Sequence, residues 1–172
     1  MPEINGADTA WVLVSAALVL LMTPALALFY GGMVRANSVI NMMMMSFGAL
    51  GLITLLWVLY GYSMAFGDDV GGGLVGDPTE FAGLQGLMSP ESVVATIPTM
   101  AFVAFQAVFA IITVALISGA IADRARFGAW LVFAGVWATV VYFPVAHRVF
   151  AFDGVTGETG GGIANQLKAI DF

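Results

Sequence analysis

The sequence predicts an all-α integral membrane protein, a polytopic helical bundle, and two observations carry that expectation. Of its 172 residues 60% are hydrophobic and only 9% charged, against roughly 25% charged in a soluble domain. A globule of this size cannot hide so much apolar surface, and lipid is the natural solvent for it. The few charges are also bunched. Between them lie four uncharged stretches, each longer than the about 20 residues with which an apolar helix crosses a bilayer.

The first stretch is uncharged from Thr9 to Val34 and closes on Leu28-Phe29-Tyr30-Gly31-Gly32 before Arg35. A span is expected over about 9–31, with Asp8 or Thr9 capping its free N–H groups. Pro24 falls inside it, tolerable where neighbouring helices satisfy the freed carbonyl. Ala25-Leu26-Ala27 has the small residues of a signal-peptidase site. Yet Glu3 and Asp8 stand where a positive n-region belongs, and the apolar run is too long for an h-region. The segment is expected to be retained.

The second stretch, Ala36 to Gly67, gives a span at about 38–66. Its run Met42 to Met45 is adaptable packing material, since thioethers without Cys or His make a poor ligand set. Residues 67–90 form a Gly- and Asp-rich connection. Gly71-Gly72-Gly73 lacks the G-x-G-x-x-G order and the preceding strand of a phosphate cradle. Ser89-Pro90-Glu91 has the form of a helix start: cap, first-turn proline, first-turn acid.

The third span is expected at about 96–121, with Pro98 either kinking the helix or marking where the membrane segment begins. The fourth, at about 127–147, carries Trp130, Trp137 and Tyr142 as interface or packing aromatics. Residues 151–167 form another Gly-rich loop, and 168–172 begin a fifth helix.

Orientation follows from the basic residues. Arg35, Arg124 and Arg126 occupy the short connections after the first and third spans, beside one acid, Asp123. The opposite side holds Glu3, Asp8, Asp68, Asp69, Asp77, Glu80, Glu91, Asp153 and Glu158, with only Arg148 and Lys168. Short Arg-bearing loops belong in the cytoplasm, which places the N-terminus outside. The acidic outer face would concentrate cations within about 8 Å at physiological salt.

Several function classes fall away. There is no cysteine, so disulfides and thiolate metal sites are excluded. Five basic residues make no nucleic-acid patch. An enzyme would need paired carboxylates, a Ser/His arrangement or a metal cluster, and no acid lies within the spans. No metal and no organic cofactor is expected.

Short motifs then identify a family. Thr9-Ala10-Trp11, Ala27-Leu28-Phe29-Tyr30-Gly31-Gly32 and Tyr60-Gly61-Tyr62-Ser63 with Phe66-Gly67 resemble the first two helices of ammonium transporters, the Amt/Mep/Rh family. Phe102-Val103-Ala104-Phe105-Gln106 with Phe109-Ala110, then Gly119-Ala120-Ile121-Ala122-Asp123-Arg124, are similar to its third helix. Pro144-Val145-Ala146-His147 resembles the end of the fourth, and Ala169-Ile170-Asp171-Phe172 the start of the fifth. These motifs follow family order across essentially the whole chain.

The resemblance implies eleven helices around two five-helix repeats of opposite orientation, a pore in each protomer, homotrimers, and residence in the cell (plasma) membrane. This chain then supplies an incomplete first repeat of the ammonium transporter fold, four helices and the beginning of a fifth. It implies inward transport of ammonium or ammonia without an enzymatic step, with the lipid bilayer as the surrounding partner. Because inverted-repeat transporters build their site where the repeats meet, the chain alone is expected not to conduct. The alternative is a non-conducting truncated subunit that joins full-length transporters.

Site residues also follow from the resemblance. Phe105 and Phe109 match the vestibule and gate phenylalanines, four residues apart and so on one helix face. Periodicity alone would make such a pair core packing. Phe150 stands where many relatives place a vestibule tryptophan, a stronger cation–π face. Arg148, two residues before it, should snorkel to the outer surface. Asp171 matches the buried aspartate that supports the site. Phe29, Tyr30 and Gln106 are further pore-lining candidates, although Gln106 should first bond another helix. His147, the lone histidine, is expected to be a structural hydrogen-bonding residue at the outer end of the fourth helix; the pore histidines would lie elsewhere.

Overall fold

The computed structural model describes residues 4–70 and 72–151. Among them four helical spans are long and apolar enough to cross a membrane: Gly6–Met33, Ala36–Phe66, Thr99–Ile121 and Phe127–Phe150. The first is one helix, α1 (Gly6–Met33), continuous through Pro24. Its cap is Asn5, whose Oδ1 accepts from the N–H groups of Ala7 at 2.9 Å and Asp8 at 3.3 Å. Asp8 and Thr9, the caps suggested by the sequence, lie inside the first turn. There the Thr9 hydroxyl donates back to the Asn5 carbonyl at 2.8 Å, and the Asp8 carboxylate accepts from Thr96 Oγ1 at 2.6 Å.

The second and fourth spans share an irregularity. The second runs from a 3-10 turn, Ala36–Ser38, through α2 (Val39–Leu56) and a π turn, Trp57–Gly61, into α3 (Tyr62–Phe66). The fourth runs through α5 (Phe127–Trp137) and a π turn, Ala138–Tyr142, into α6 (Phe143–Phe150). A π turn fits one extra residue into a helix and changes the faces that follow it. The two turns meet: Tyr60 Oη lies 2.9 Å from Thr139 Oγ1, and Thr139 donates to the Gly135 carbonyl at 2.8 Å, so Tyr60 is the donor of the first bond. Gly61 permits the approach, because a Cβ there would stand 2.6 Å from the Phe143 ring.

The third span begins later than the Ser89-Pro90-Glu91 signal. Ser89 Oγ instead accepts from the Glu91 N–H at 3.3 Å, closing a turn. A two-stranded antiparallel ladder follows, β1 (Val93–Val94) with β2 (Ile97–Pro98). Ser92 Oγ donates to Thr99 Oγ1 at 2.8 Å. Helix α4 (Thr99–Ile117) starts directly after Pro98, which has no N–H to leave unpaired. The β-branched Val93, Val94 and Ile97 prefer the ladder to a first helical turn.

Buried indoles set the directions of the spans. Trp57 Nε1 donates to the Val103 carbonyl at 3.2 Å, joining the far end of α2 to the near end of α4. Trp130 Nε1 donates to the Met45 carbonyl at 2.9 Å, and Asn41 Nδ2 to Ala125 at 3.1 Å, joining the beginnings of α2 and α5. Tyr30 near the end of α1 donates to Leu116 near the end of α4 at 3.1 Å. Hence α1 and α4 run one way, α2 and α5 the other. One end of the bundle carries Arg35, Arg124 and Arg126; the other gathers Asp8, Asp68, Asp69, Asp77, Glu80 and Glu91. The core between them is Met42, Met45, Ile53, Trp57, Tyr62, Phe66, Trp130 and Phe143.

Candidate functional site

The acidic end is closed by the connection after α3. Ser63 Oγ donates to the Asp77 carbonyl at 2.5 Å and accepts from the Phe81 N–H at 2.9 Å, folding residues 77–81 over the helix end. Gly76 N–H reaches the Met64 carbonyl at 2.9 Å. A Cβ at Gly76 would lie 2.6 Å from the Ser63 carbonyl oxygen, so the approach needs glycine. The Thr79 hydroxyl and then its N–H hold the Asp77 carboxyl below the usual carboxylate range. Glu80 accepts from the Asp68 N–H at 2.6 Å, yet partial desolvation, with the charges of Asp68 and Asp77, holds it above that range.

Beneath this cover runs a ladder of rings. Tyr62 meets Phe81 at a tilt of 57° with centroids 6.0 Å apart and Phe66 at 31° with centroids 5.3 Å apart. Phe66 meets Phe102 edge-on at 5.1 Å. One turn further along α4, Phe105 and Phe109 form their own T-shaped pair, centroids 5.0 Å apart and planes at 69°. At 1.5 Å of rise per residue the pair lies roughly 9 to 15 Å along α4 from the acidic end. Phe105 is half-buried and Phe109 is 37% exposed. An accessible ring face attracts a cation.

Gln106, the next residue after Phe105 on α4, is half-buried and finds no hydrogen-bond partner among the described residues; the helix-to-helix bond expected of it is absent there. Phe150 ends α6, half-buried against the core, while Arg148 is exposed. Tyr30 lies at the opposite end of the bundle, its ring against Gly119, where a Cβ would stand 2.7 Å from the ring. Phe29 is exposed beside it. The structure therefore brings the rings of Phe105 and Phe109 together and sets Phe29 and Tyr30 apart from them. Asp171 lies outside the described residues.

Sequence reasoning gave His147 a structural hydrogen-bonding role but named neither its partners nor the Ser63 staple at the acidic end. His147 is fully buried, with Nδ1 3.1 Å from the Ala65 carbonyl and Nε2 3.5 Å from Asp69 Oδ1. Asp69 Oδ2 accepts from the Gly73 N–H at 2.7 Å. The Ser63 staple and the Asp69 contact cross separations that no local pattern reports. A Ser and a His placed just inside the apolar boundary were their only signals.

Comparison with known proteins agrees with this geometry. The family model described as Ammonium Transporter Family matches residues 10–172. An ammonium transporter of Mycobacterium tuberculosis is 62% identical over 183 residues, covering 98% of this chain and 38% of the relative. One from Bacillus subtilis is 46% identical, over 96% of this chain and 38% of the relative. Among solved structures, Candida albicans Mep2 superposes with a TM-score of 0.81 at 31% identity, over 99% of this chain and 35% of that one. The chain thus spans well under half the length of the relatives it matches. Four membrane-length helices, the family match and these relatives lead to one conclusion: the chain belongs to the ammonium transporter family.

Proposed function

We propose that these residues form the N-terminal part of a pathway for ammonium or ammonia across the cell (plasma) membrane. In this reading the acidic end faces outward with the N-terminus. The complete protein is a homotrimer with one pore per protomer, and it performs no enzymatic step. The observation that carries the reading is the Phe105–Phe109 pair, two rings at 5.0 Å beneath an acidic surface in a chain of this family.

Ammonium is a small cation, and moving it bare into a low-dielectric bundle is costly. Acidic loops raise its concentration at the mouth. Ring faces then hold it at about 0.5 to 2 kcal/mol each, less steeply than a buried carboxylate would. Phe105 and Phe109 are the proposed vestibule and gate, with Gln106 beside them. Phe150 is a weaker recruiting ring than an indole would be, and Asp171 the supporting carboxylate. Phe29 and Tyr30 are the poorest pore candidates, because Tyr30 packs on Gly119 and bonds Leu116 at the Arg-bearing end.

The chain covers 38% of its relatives, and we place the conducting surface between it and the remaining length. It is therefore expected not to transport alone. In cells lacking their own ammonium uptake, the 172-residue chain should give no growth on limiting ammonium. A chimera joining it in frame to the remainder of the Mycobacterium tuberculosis relative should restore growth. Phe109→Ala in that chimera should lower methylammonium uptake about tenfold, the effect of one lost ring contact. Growth with the chain alone, or a silent chimera that reaches the membrane, overturns the reading. The second reading, a non-conducting subunit, predicts co-purification with a full-length transporter and reduced uptake in its presence.

A further inference from the structure

We propose that His147 is a positioning residue for Phe150, anchoring the outer turn of α6 to the second span and to its connecting loop. The proposal rests on the reading of Phe150 as a vestibule ring.

His147 is a polar side chain in a place built for apolar ones. It is fully buried, one turn past Phe143, which is equally buried, and three residues before Phe150. Positions 143, 147 and 150 fall on one helical face. Burying an imidazole is unfavourable unless its nitrogens are satisfied, so its presence there calls for a partner. The Ala65 carbonyl can only accept, and at 3.1 Å from Nδ1 it fixes the proton on that nitrogen. The ring is thereby oriented with Nε2 toward Asp69. Asp69 Oδ1 stands 3.5 Å from Nε2, too far for a well-formed hydrogen bond.

One imidazole therefore joins three elements. It belongs to α6, it bonds the carbonyl of Ala65 in α3, and it faces a carboxylate whose other oxygen takes the Gly73 N–H. The same residue closes the turn that carries Phe150, because the Ala151 N–H donates to the His147 carbonyl at 3.2 Å. Apolar packing at position 147 could bury the helix face but would leave its rotation and axial position loosely set. A directional bond from the ring to a fixed carbonyl sets both, and Phe150 inherits the result. Arg148, exposed on the other face, makes no comparable demand.

The chain has no cysteine and one histidine, which makes both probes unambiguous. In lipid nanodiscs, Phe150→Cys supplies a single thiol whose labelling rate by a methanethiosulfonate reagent reports its position. Adding His147→Ala should raise that rate about tenfold, the effect of losing one hydrogen-bonded anchor on local opening. His147→Asn, whose amide nitrogen stands close to the place of Nδ1, should return it toward the starting value. A second thiol, Ser46→Cys, deep in the bundle, should label no faster. The ring 15N spectrum of the unsubstituted chain should show a protonated, hydrogen-bonded Nδ1, and Asp69→Asn should shift the Nε2 resonance.

Labelling at position 150 that stays within about twofold after His147→Ala overturns the proposal. So does equal acceleration at Ser46→Cys, which would mean general loosening, or an unprotonated Nδ1. None of these measurements contains ammonium. An unchanged apparent KM for methylammonium in the chimera bearing Phe150→Ala would remove the vestibule role and leave the anchor standing.

Discussion

The first and third spans are equally hydrophobic, yet they hold opposite places in the bundle. In its most apolar stretch α1 buries 17% of its residues, and the third span 44%. Hydropathy therefore marks both as membrane segments and distinguishes nothing further. What separates them is the size of the residues they turn inward. Helix α1 buries Ala16, Thr23, Ala27 and Gly31, a stripe of small side chains that brings its backbone close to α2 and α4. It turns Trp11, Leu18, Leu21, Leu28 and Phe29 outward. Helix α4 buries Val103, Val108, Ile111, Ile112 and Val114 besides the small Thr99, Ala101, Ala110 and Ala115, since it is covered from more than one side. Between two apolar phases the transfer of a large side chain gains little, and close backbone approach decides which face packs.

The widest test of that contrast uses two tryptophans. Trp57 is buried and bonded to the Val103 carbonyl of α4, while Trp11 on α1 is 75% exposed. Trp57→Ala should cost about 3–5 kcal/mol, as large core truncations do. Trp11→Ala should stay within about 0.5 kcal/mol. Reversible unfolding in bicelles by detergent titration measures both. A comparable loss at the two positions would mean that α1 is packed by something other than the described helices.

A smaller effect should invert the usual expectation about size. Ala27 on α1 is fully buried, and its neighbour Leu28 is 66% exposed. Ala27→Leu adds apolar bulk yet should destabilise by about 1–3 kcal/mol through overpacking of the small-residue stripe. Leu28→Ala removes bulk and should change stability by less than about 0.5 kcal/mol. The same titration reads both. If Leu28→Ala is the costlier change, apolar area rather than approach holds α1.

Much of this was legible in the chain. Uncharged length announced four spans, and the arginines against the acids announced two different ends. Packing details were not. The π turns at Trp57–Gly61 and Ala138–Tyr142 leave no local mark, because each is fixed by the other through Tyr60 and Thr139. The third helix starts at Thr99, directly after the Pro98 that could equally have kinked it, and the Ser89-Pro90-Glu91 signal closes a turn ahead of a short β ladder instead of opening the helix. At the candidate site, the spacing of Phe105 and Phe109 was enough to place them on one face. Their T-shaped contact, and the remoteness of Tyr30 from them, came from helix directions that buried indoles set.

At the Arg-bearing end, where α1 and α4 meet, Tyr30→Phe removes the hydroxyl that donates to the Leu116 carbonyl. Interhelical hydrogen bonds in membranes average about 0.6 kcal/mol, and Leu116 already accepts from the Ser118 N–H. A loss near that value is expected, with the ring still seated on Gly119. A loss several times larger would show that this bond, and not the small-residue stripe, aligns the two helices.

The smallest effect lies at the acidic end and is visible only as a pH dependence. Asp77 is held below the usual carboxylate range, first by the Thr79 hydroxyl and then by its N–H. A group whose folded pKa is lowered adds stability above its unfolded pKa and loses it as pH falls through the folded value. Glu80, raised chiefly by desolvation, acts in the opposite sense: its contribution is complete when protonated and declines as pH rises through and just above the ordinary carboxylate range. Thr79→Ala should therefore weaken the loop above the carboxylate range and flatten the acid limb of its stability. Glu80→Gln should flatten the limb just above that range. Limited proteolysis across residues 72–90 as a function of pH reads each limb separately. Unchanged profiles in both variants would mean that the Ser63 staple alone closes this end, leaving Asp77 and Glu80 as surface charge.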